Sequence, residues 1–468
     1  MMRKNLSADG MISILKKSFS SISEHRKKGA EGVEYSIADS LLTAFGAFSL
    51  KYESFNLFFK DLDASEIKRT SVQSLYQVNK VPSTTRLKEI IDPIKTLNLR
   101  PAFNDVFREL QRGGALKNYL YLDKYYIMAI DGTQYYSSDN IFCDCCLIKE
   151  STAGKKSYSH QMLAACIVHP GLKQVIPVAP EPIQNCDGHT KNDCERNAAK
   201  RFLAAFRKDH PKLPMIVVED GLSSNGPHIK ELKSHDMSFV LGVKPGDHKY
   251  LFDWINAYDE SEIGFVKNIK YHGSKVIYRT TQNIRFVNEV PINSTNDDLL
   301  VNFLEIIETV EKKIERYVHN PLTGLLTETI IEWIAEGKPT TFAWVTDIKI
   351  NKDNALALML AGRKRWAIEN ETFNTLKNQG YNFEHSYGHG NKNLATNFSF
   401  LMMLAFLIDQ VQEMCCPLFK KALEKAGSKK ILWIKIRELF SMFSIKSSWE
   451  GIWSFIINPE KFYEAKII

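Results

Sequence analysis

The sequence predicts an α/β fold in which a mixed sheet core carries a β-rich insertion and has helical regions at both ends. Apolar residues at helical spacing fill residues 1–120, and β-branched runs that alternate with helices follow in residues 121–243. Residues 244–350 break into strand-like pieces separated by polar loops, which predicts the insertion. A long helix and a Gly/His/Asn-rich loop complete the core over residues 351–393, and residues 394–468 are again helical.

The composition is that of a folded protein with a basic amino-terminal third. With 468 residues, of which 44% are hydrophobic and 25% charged, the chain can bury a sizeable core and is unlike a disordered protein. Residues 1–120 hold 19 Lys and Arg against 13 Asp and Glu, which is six of the seven net positive charges. Such an excess favours a helical DNA-binding domain in residues 1–120, although a merely solvated basic surface has the same balance.

Neither secretion nor a membrane anchor is expected. The segment MMRKNLSADGMISILKK has no long apolar run and no cleavage-site pattern. The most apolar stretch, Phe398–Ile408, is about half of the roughly 20 residues that a membrane span needs, so it predicts a buried helix. The eight cysteines do not resemble a secreted disulfide framework, so reduced thiols and a cytoplasmic location are expected.

The individual elements follow from changes in the period of apolar residues. Near the amino terminus, Ser36–Leu50 has helical spacing, and Pro82–Thr85 precede Arg86–Ile91 as a helix start does. The predicted core strands are Tyr125–Ile130, Gln161–Val168, Gln174–Val178, Met215–Val218 and Phe239–Val243, and the predicted core helix is Lys191–Lys208. In the insertion the predicted strands are Lys275–Thr280, Asn283–Val287, Leu299–Ile307 and Thr341–Ile350, and a long helix is predicted from Lys352 to Gln379.

Two carboxylates are expected at the ends of apolar strands, each followed by glycine. These are Asp131 in MAIDGTQ and Asp220 in VVEDGLS. A strand end would hold a carboxylate rigidly while glycine lets the chain turn away. Two carboxylates in one site repel each other unless a cation lies between them, and hard oxygen ligands suit Mg²⁺ or Mn²⁺. Each Asp-Gly taken alone is equally well explained as ordinary turn chemistry.

The long helix adds a third carboxylate. Arg365 and Glu369 are four residues apart and therefore share one face of an α-helix. The apolar residues Trp366, Ile368 and Phe373 predict that part of this helix is buried. A buried helix with a carboxylate beside a basic residue can supply a metal ligand and hold a phosphate, whereas a surface salt bridge is the alternative.

The ordered set of motifs resembles the insertion-sequence transposases with an Asp-Asp-Glu triad, in the group with a β-rich insertion before the Glu-bearing helix. The resemblance rests on IDGT at Ile130–Thr133, VVED at Val217–Asp220, and GRKRWAIENETFNTLKNQGYNFEH at Gly362–His385. The intervals between Asp131, Asp220 and Glu369, 89 and 149 residues, leave room for the insertion.

The resemblance implies both a fold and an activity. The fold is a ribonuclease H-like core, and Asp131, Asp220 and Glu369 bind catalytic Mg²⁺ or Mn²⁺, two ions in all. The activity is cleavage at transposon ends, usually through a hairpin intermediate, followed by strand transfer into target DNA. The partners are transposon-end and target DNA and, in the synaptic complex, a second copy of the chain. The location is the bacterial cytoplasm, at the nucleoid when DNA is bound.

The family's Tyr-Arg-Glu-Lys signature matches only in part. Arg365 and Glu369 stand where the family has Arg and Glu, but Gly362 occupies the Tyr position seven residues before the glutamate. The lysine of the signature stands seven residues after the glutamate, whereas Lys377 follows Glu369 by eight, about 100° further around an α-helix. The predicted contacts to DNA are Arg363, Lys364, Arg365, Lys377, His389 and Lys392.

Glu371 competes with Glu369 for the third position. The two lie about 200° apart on an α-helix, so both cannot face the same site. Glu369 is one turn from both Arg365 and Phe373, whereas Glu371 shares no face with Arg365. The sequence therefore favours Glu369.

Cysteine and histidine residues in the core raise a second metal hypothesis. Cys143 and Cys146 form a C-x-x-C spacing, and His160 is close behind, followed by Cys186, His189 and Cys194. A tetrahedral zinc site could pin this loop to the core, although metal-free thiols would produce the same string. Trp344, in the insertion, could stack on an extruded DNA base, but a core position on a strand is the favoured interpretation.

Two other functions are compatible with the motifs. A ribonuclease H-like nuclease or resolvase would use the same carboxylates without transposing. A domesticated, catalytically inactive DNA-binding protein would need none of them, and the presence of Asp131, Asp220 and Glu369 argues against it.

Overall fold

The computed structural model describes residues 4–26, 33–185, 192–319, 322, 326–442 and 448–460. The chain divides into two compact units. The first comprises Met1–Leu120, Ala129–Lys212 and Trp366–Ile468, and the second comprises Tyr121–Met128 and Leu213–Arg365.

Helices precede the first strands. Up to Lys212 the elements are α1 (Ala8–Ser20), α2 (Ile37–Ser49), α3 (Phe55–Asp63), α4 (Glu66–Tyr76), α5 (Thr84–Ile91), α6 (Arg100–Arg112), β1 (Tyr126–Ser138), β2 (Leu147–Glu150), β3 (Lys156–Val168), β4 (Ile176–Pro177), β5 (Glu181–Ile183) and α7 (Glu195–Asp209).

Strands then dominate up to Thr346, and helices follow. The elements are β6 (Met215–Glu219), α8 (Gly226–Ser234), β7 (Ser238–Val243), α9 (Lys249–Ala257), β8 (Gly264–His272), β9 (Tyr278–Asn293), β10 (Asn296–His319), β11 (Leu326–Ala335), β12 (Thr340–Thr346), α10 (Ala355–Arg363), a π-helix (Ile368–Phe373), α11 (Asn374–Asn378), α12 (Leu394–Cys415), α13 (Pro417–Ala426), α14 (Lys429–Met442) and α15 (Trp449–Ile457).

Serine caps begin five amino-terminal helices of the first unit, α1 to α5. The side chains of Ser36 and Ser83 accept hydrogen bonds from the Asp39 and Arg86 amides, which satisfies backbone donors that the first turn leaves open. Serines 7, 54 and 65 cap α1, α3 and α4 in the same way. The helices predicted from Ser36–Leu50 and Arg86–Ile91 are therefore confirmed.

Helix α12 forms the centre of the first unit. Among the described residues it is the one helix long and apolar enough to cross a membrane, and 94% of its most apolar window is buried inside the protein. Every residue of α2 is buried, and α2 packs against α12. The buried helix predicted at Phe398–Ile408 is confirmed, and it is longer than the apolar run at 22 residues.

The sheet of the first unit is built around β3. Strands β2, β4 and β5 all pair with β3 in the antiparallel direction, and β1 is its other neighbour. The continuous apolar run Met162–Val168 in β3 is fully buried, and α7 packs against the strand. An apolar run of this length is typical of a strand that is covered on both faces.

The sheet of the second unit is mixed. Strand β6 runs parallel to β7, β12 pairs antiparallel with β7, and β10, β9 and β8 follow in order. The amino end of β1 belongs here too, because the Tyr126 amide donates to the Pro214 carbonyl. The predicted fold class is confirmed: an α/β core with a mixed, ribonuclease H-like sheet, a β-rich insertion and helices at both ends.

Candidate functional site

Asp131 lies inside a strand and not at its end, so the predicted turn after Ile130 is wrong. Strand β1 continues through Gly132 as far as Ser138. Gly132 is not in a turn but next to a helix. A Cβ atom at Gly132 would lie 2.1 Å from Oε1 of Glu195, the first residue of α7. A side chain at Gly132 would therefore require the exposed Glu195 side chain to move.

Asp220 directly follows strand β6, as predicted. The four residues before Glu219 are fully buried, whereas Asp220 itself is exposed. Its Oδ1 accepts a hydrogen bond from the Leu222 amide at 3.0 Å, which caps a short 3₁₀ turn over Gly221–Ser223. The carboxylate is held by its own backbone turn and is open to solvent at the carboxyl end of a buried strand.

The adjacent acidic residue, Glu219, is part of the core. It is buried, and its Oε2 lies 2.5 Å from Nε2 of His228. Its carboxylate is thus hydrogen-bonded inside the second unit. Of the two neighbouring carboxylates in VVED, Asp220 is the one that faces solvent.

Glu369 lies in a π-helix and not in a continuous α-helix. The predicted helix from Lys352 to Gln379 is interrupted by a turn at Lys364–Arg365, and the segment Ile368–Phe373 then follows π geometry. The Asn374 amide donates to the Glu369 carbonyl five residues earlier. Ile368 and Phe373 are buried as predicted, whereas the Trp366 side chain is 49% exposed, contrary to prediction.

Glu371 lines a cavity of about 670 Å³ in the first unit. The cavity wall also contains Lys51, Trp433 and Arg437. The Lys51 ammonium is buried, pairs with Asp409 at 2.7 Å, and lies over the Trp433 ring. Glu371 therefore lines a cavity with a basic excess: among the described residues, its wall carries five basic side chains against three acidic ones, namely Lys51, Lys173, Lys429, Lys430 and Arg437 against Glu53, Glu371 and Glu413.

Three of the predicted DNA contacts are engaged within the protein. The Arg363 guanidinium donates to both carboxylate oxygens of Glu308, at 2.5 and 3.1 Å, and this hydrogen bonding lowers the pKa of Glu308. Lys377 forms an ion pair with Glu384 at 2.7 Å. The third, His389, is buried.

The other three differ in exposure. Lys364 and Arg365 are half-buried, and Lys392 is exposed. The Lys392 backbone is fixed, because its amide donates to Asp92 at 3.0 Å.

His389 belongs to a cluster with Cys143, Cys146 and His160, whose ligand atoms all lie within 4.8 Å of one another. The Sγ atoms of the two cysteines are 3.8 Å apart, and Nε2 of His160 lies 3.5 Å from Cys143 Sγ and 3.4 Å from Cys146 Sγ. His389 Nε2 lies 3.5 Å from Cys146 Sγ and 3.2 Å from His160 Nε2. Two sulfurs and two imidazole nitrogens thus converge, and this arrangement could bind a metal ion.

The elements that bring the cluster together all belong to the first unit. Cys143 and Cys146 follow β1, His160 lies within β3, and His389 precedes α12. Asp92 fixes the loop that carries His389. Its two oxygens accept four backbone N–H groups, those of residues 391 to 394, at 3.0–3.1 Å.

Gly390 allows the backbone of the His389 loop to lie close to the Asp92 carboxylate. Its φ angle is +70°, and a Cβ atom there would lie 2.4 Å from Asp92 Oδ1.

The cluster favours a thiolate. Hydrogen bonds from Cys145 and Cys146, joined by those from the two histidines, hold the pKa of the Cys143 thiol far below its usual range. The hydrogen bond to Cys143 raises the pKa of the Cys146 thiol. Burial lowers the pKa of His389, but its hydrogen bonds to Cys143 and the Gly390 carbonyl and the charges of Cys143 and Asp92 together outweigh burial, so the net pKa is raised. A thiolate is the form of cysteine that binds metal ions.

Comparison with known proteins identifies the family. The model of the transposase DDE domain family matches residues 123–407, which is more than half of the chain and includes Asp131, Asp220 and Glu369. The chain belongs to this family. It is a transposase by class, and DNA is its partner.

Two other comparisons add less. No curated protein matches the chain. Among solved structures, the chain is similar to piggyBac transposase in a cryo-EM synaptic complex with hairpin DNA. The identity is 13%, the TM-score is 0.38, and the match covers 99% of this chain and 81% of that one.

The position of Gly362 in this DDE transposase has a steric explanation. The Trp344 indole packs against α10, and a Cβ atom at Gly362 would lie 2.5 Å from Trp344 Nε1. No tyrosine fits there, so the tryptophan fills the space that the signature Tyr would need. Trp344 is buried on β12, in agreement with the favoured core interpretation.

The sequence did not assign His389 to the Cys/His cluster. It lies 229 residues after His160, so no local spacing connects the two. Two signals were available: the histidine is flanked by two glycines, Gly388 and Gly390, and the cluster lacked a fourth ligand. Cys194 is exposed, and Cys186 and His189 lie outside the described residues.

Proposed function

We propose that this DDE-family chain is a cut-and-paste transposase that cleaves DNA at transposon ends and joins them to target DNA. The observation that carries the proposal is the family match over residues 123–407, because three carboxylates with the family's order and spacing fall inside it. A plain nuclease would share the carboxylates but would not join strands.

Asp131, Asp220 and Glu369 are proposed as the metal-binding triad, with two Mg²⁺ or Mn²⁺ ions. The donor set fits these ions, because all three residues supply hard carboxylate oxygens and none is fully buried. The bound ions would activate the attacking oxygen and stabilise the leaving oxygen of the phosphodiester. The protein's part is to hold the carboxylates on rigid elements: strand β1, the end of β6, and the π-helix.

Glu369 is proposed as the third ligand in preference to Glu371. Two observations support the choice. Glu371 lines the basic cavity next to Lys51 and Arg437, and it stands outside the Arg365–Glu369 signature pair.

Lys364, Arg365 and Lys392 are the residues proposed to contact DNA phosphates, together with the basic surface of residues 1–120. Arg363 and Lys377 would contact a phosphate by exchanging their ion pairs with Glu308 and Glu384, and His389 is assigned to the Cys/His cluster instead. The complete α2 is buried against α12, so DNA binding is tested on the full chain and not on a fragment. We further propose that two copies act together on paired ends, in the bacterial cytoplasm at the nucleoid.

The test is a strand-transfer assay with the purified full chain. Linear DNA that carries the inverted repeats flanking the coding sequence is mixed with a supercoiled target plasmid and Mg²⁺. We expect cleavage at the repeat ends and covalent joining to the plasmid, and end binding that weakens steeply as salt rises. Cleavage without joined products would identify a nuclease, and binding without cleavage would identify an inactive DNA-binding protein. Either outcome would contradict the proposal.

A further inference from the structure

We propose that Cys143, Cys146, His160 and His389 together bind one structural zinc ion. Bond lengths of about 2.3 Å to sulfur and about 2.05 Å to nitrogen place tetrahedral ligands about 3.8 Å apart for S–S, about 3.5 Å for S–N and about 3.3 Å for N–N. The corresponding distances in the cluster are 3.8 Å, 3.4–3.5 Å and 3.2 Å. Five of the six distances between the ligand atoms therefore match a zinc tetrahedron, and the sixth, from Cys143 Sγ to His389 Nε2, is within 4.8 Å.

The surroundings fit a closed structural site. Three of the four ligands are buried and Cys143 is partly so, whereas a catalytic zinc site keeps an open position for water. His389 Nδ1 lies 2.9 Å from the Gly390 carbonyl, a contact that fixes the ring with Nε2 directed at the metal. Two thiolates and two imidazoles favour zinc over the hard cations proposed for the carboxylates.

A disulfide does not explain the cysteine pair equally well. A disulfide bond requires an S–S distance of about 2.05 Å, far below the 3.8 Å between Cys143 and Cys146. A disulfide would also leave the two convergent histidines without a role.

The ion would connect segments that are remote in sequence. Cys143 and Cys146 follow β1, the strand that carries Asp131, and His389 lies in the loop after the helical segment that carries Glu369. All of these residues belong to the first unit. The bound ion would therefore fix the spacing between the ends of these two segments, with Asp92 holding the His389 loop from the other side.

Metal analysis of the full chain, purified without chelator, tests the proposal in the absence of DNA. Elemental analysis should find about one zinc per chain, and X-ray absorption should show a shell of two sulfur and two nitrogen ligands. The His389→Ala and Cys143→Ser variants should each retain less than about one tenth of that zinc. His385→Asn and Cys194→Ser alter an exposed histidine of the same loop and an exposed cysteine, and both should retain it.

If the variants fail to fold, metal binding by the wild-type protein tests the zinc proposal by itself. Cobalt(II) added to chelator-treated protein should give the visible spectrum of a tetrahedral site with two thiolates. Protein that contains no zinc and gives no such spectrum would overturn the proposal, and so would a zinc shell without sulfur. Because no DNA substrate enters these measurements, failure of the transposase proposal would leave their result unaffected.

Discussion

At the scale of single residues, two glycines explain where this chain departs from simple sequence expectations. A side chain at Gly132 would meet the Glu195 side chain of α7, and Gly362 replaces the signature tyrosine because Trp344 fills the space. Both positions concern close packing and not turns. A sequence shows the glycine but not the neighbour that excludes a side chain, so the turn predicted at Gly132 was wrong.

Gly362→Ala should lower stability. Alanine normally favours a helix over glycine by up to about 1 kcal/mol, but the added methyl group would lie 2.5 Å from Trp344 Nε1. Overpacking of this kind costs about 1–3 kcal/mol, so the clash should dominate. The measurement is the midpoint of thermal unfolding. Gly246→Ala is the matched control, because a Cβ atom there meets nothing within 4 Å. An unchanged or higher midpoint for Gly362→Ala would contradict the packing argument.

At the scale of elements, the segment around Glu369 shows why helix type is hard to predict. Ile368 and Phe373 are five residues apart and both are buried. On an α-helix such residues lie about 140° apart, whereas i→i+5 hydrogen bonding brings them towards one face. Side-chain periodicity indicates a helix in either case, so the sequence predicted the helix but neither its π geometry nor the break at Lys364–Arg365.

The end of α7 makes stability depend on pH through His210. The imidazole packs against Phe107 and Phe206, with ring centroids 4.5 and 4.7 Å away. Burial lowers the pKa of His210 to about 4. Arg100, Arg108 and Arg207 also lower it, and Asp209 opposes them. The folded protein therefore favours the neutral ring, whereas the unfolded chain takes up a proton near pH 6.5.

The contribution of His210 should be complete above pH 6.5 and be lost between pH 6.5 and 4. Its size is on the order of 1–3 kcal/mol. The measurement compares the thermal midpoints of wild type and His210→Gln from pH 7.5 to 4.5. We expect the difference between the two proteins to change over this range, with wild type losing more stability. The exposed His385→Gln is the control. Parallel curves for wild type and His210→Gln would show that the ring does not titrate as argued.

At the scale of the whole molecule, the sequence predicted the class of fold but not its long-range pairings. Apolar periodicity, a helix-start segment and apolar runs predicted α2, α5, β3, β6 and β7 well, because burial leaves a periodic pattern in the sequence. Strands β8 and β11 were missed because most of their side chains are not buried, so no apolar face marks them.

For the candidate site, too, the sequence predicted the residues that belong to local motifs but not the long-range contacts. Asp131, Asp220 and Glu369 stand out by motif and order along the chain. The role of His389 depends on a fold that joins residues 160 and 389, and no local pattern contains that contact.

The central claim is that Asp131, Asp220 and Glu369 perform Mg²⁺-dependent DNA cleavage, and single substitutions test it most directly. The measurement is the rate of cleavage at the repeat ends in Mg²⁺, with binding of the same DNA read in parallel by mobility shift. Asp131→Ala, Asp220→Ala and Glu369→Gln should each lower the cleavage rate by at least about 10³-fold, because each removes a ligand of the ions, while end binding stays within a few-fold of wild type. Glu371→Gln is the matched control and should cut at a rate close to that of wild type. Wild-type cleavage by any of the three variants, or loss of cleavage in Glu371→Gln but not in Glu369→Gln, would contradict the account.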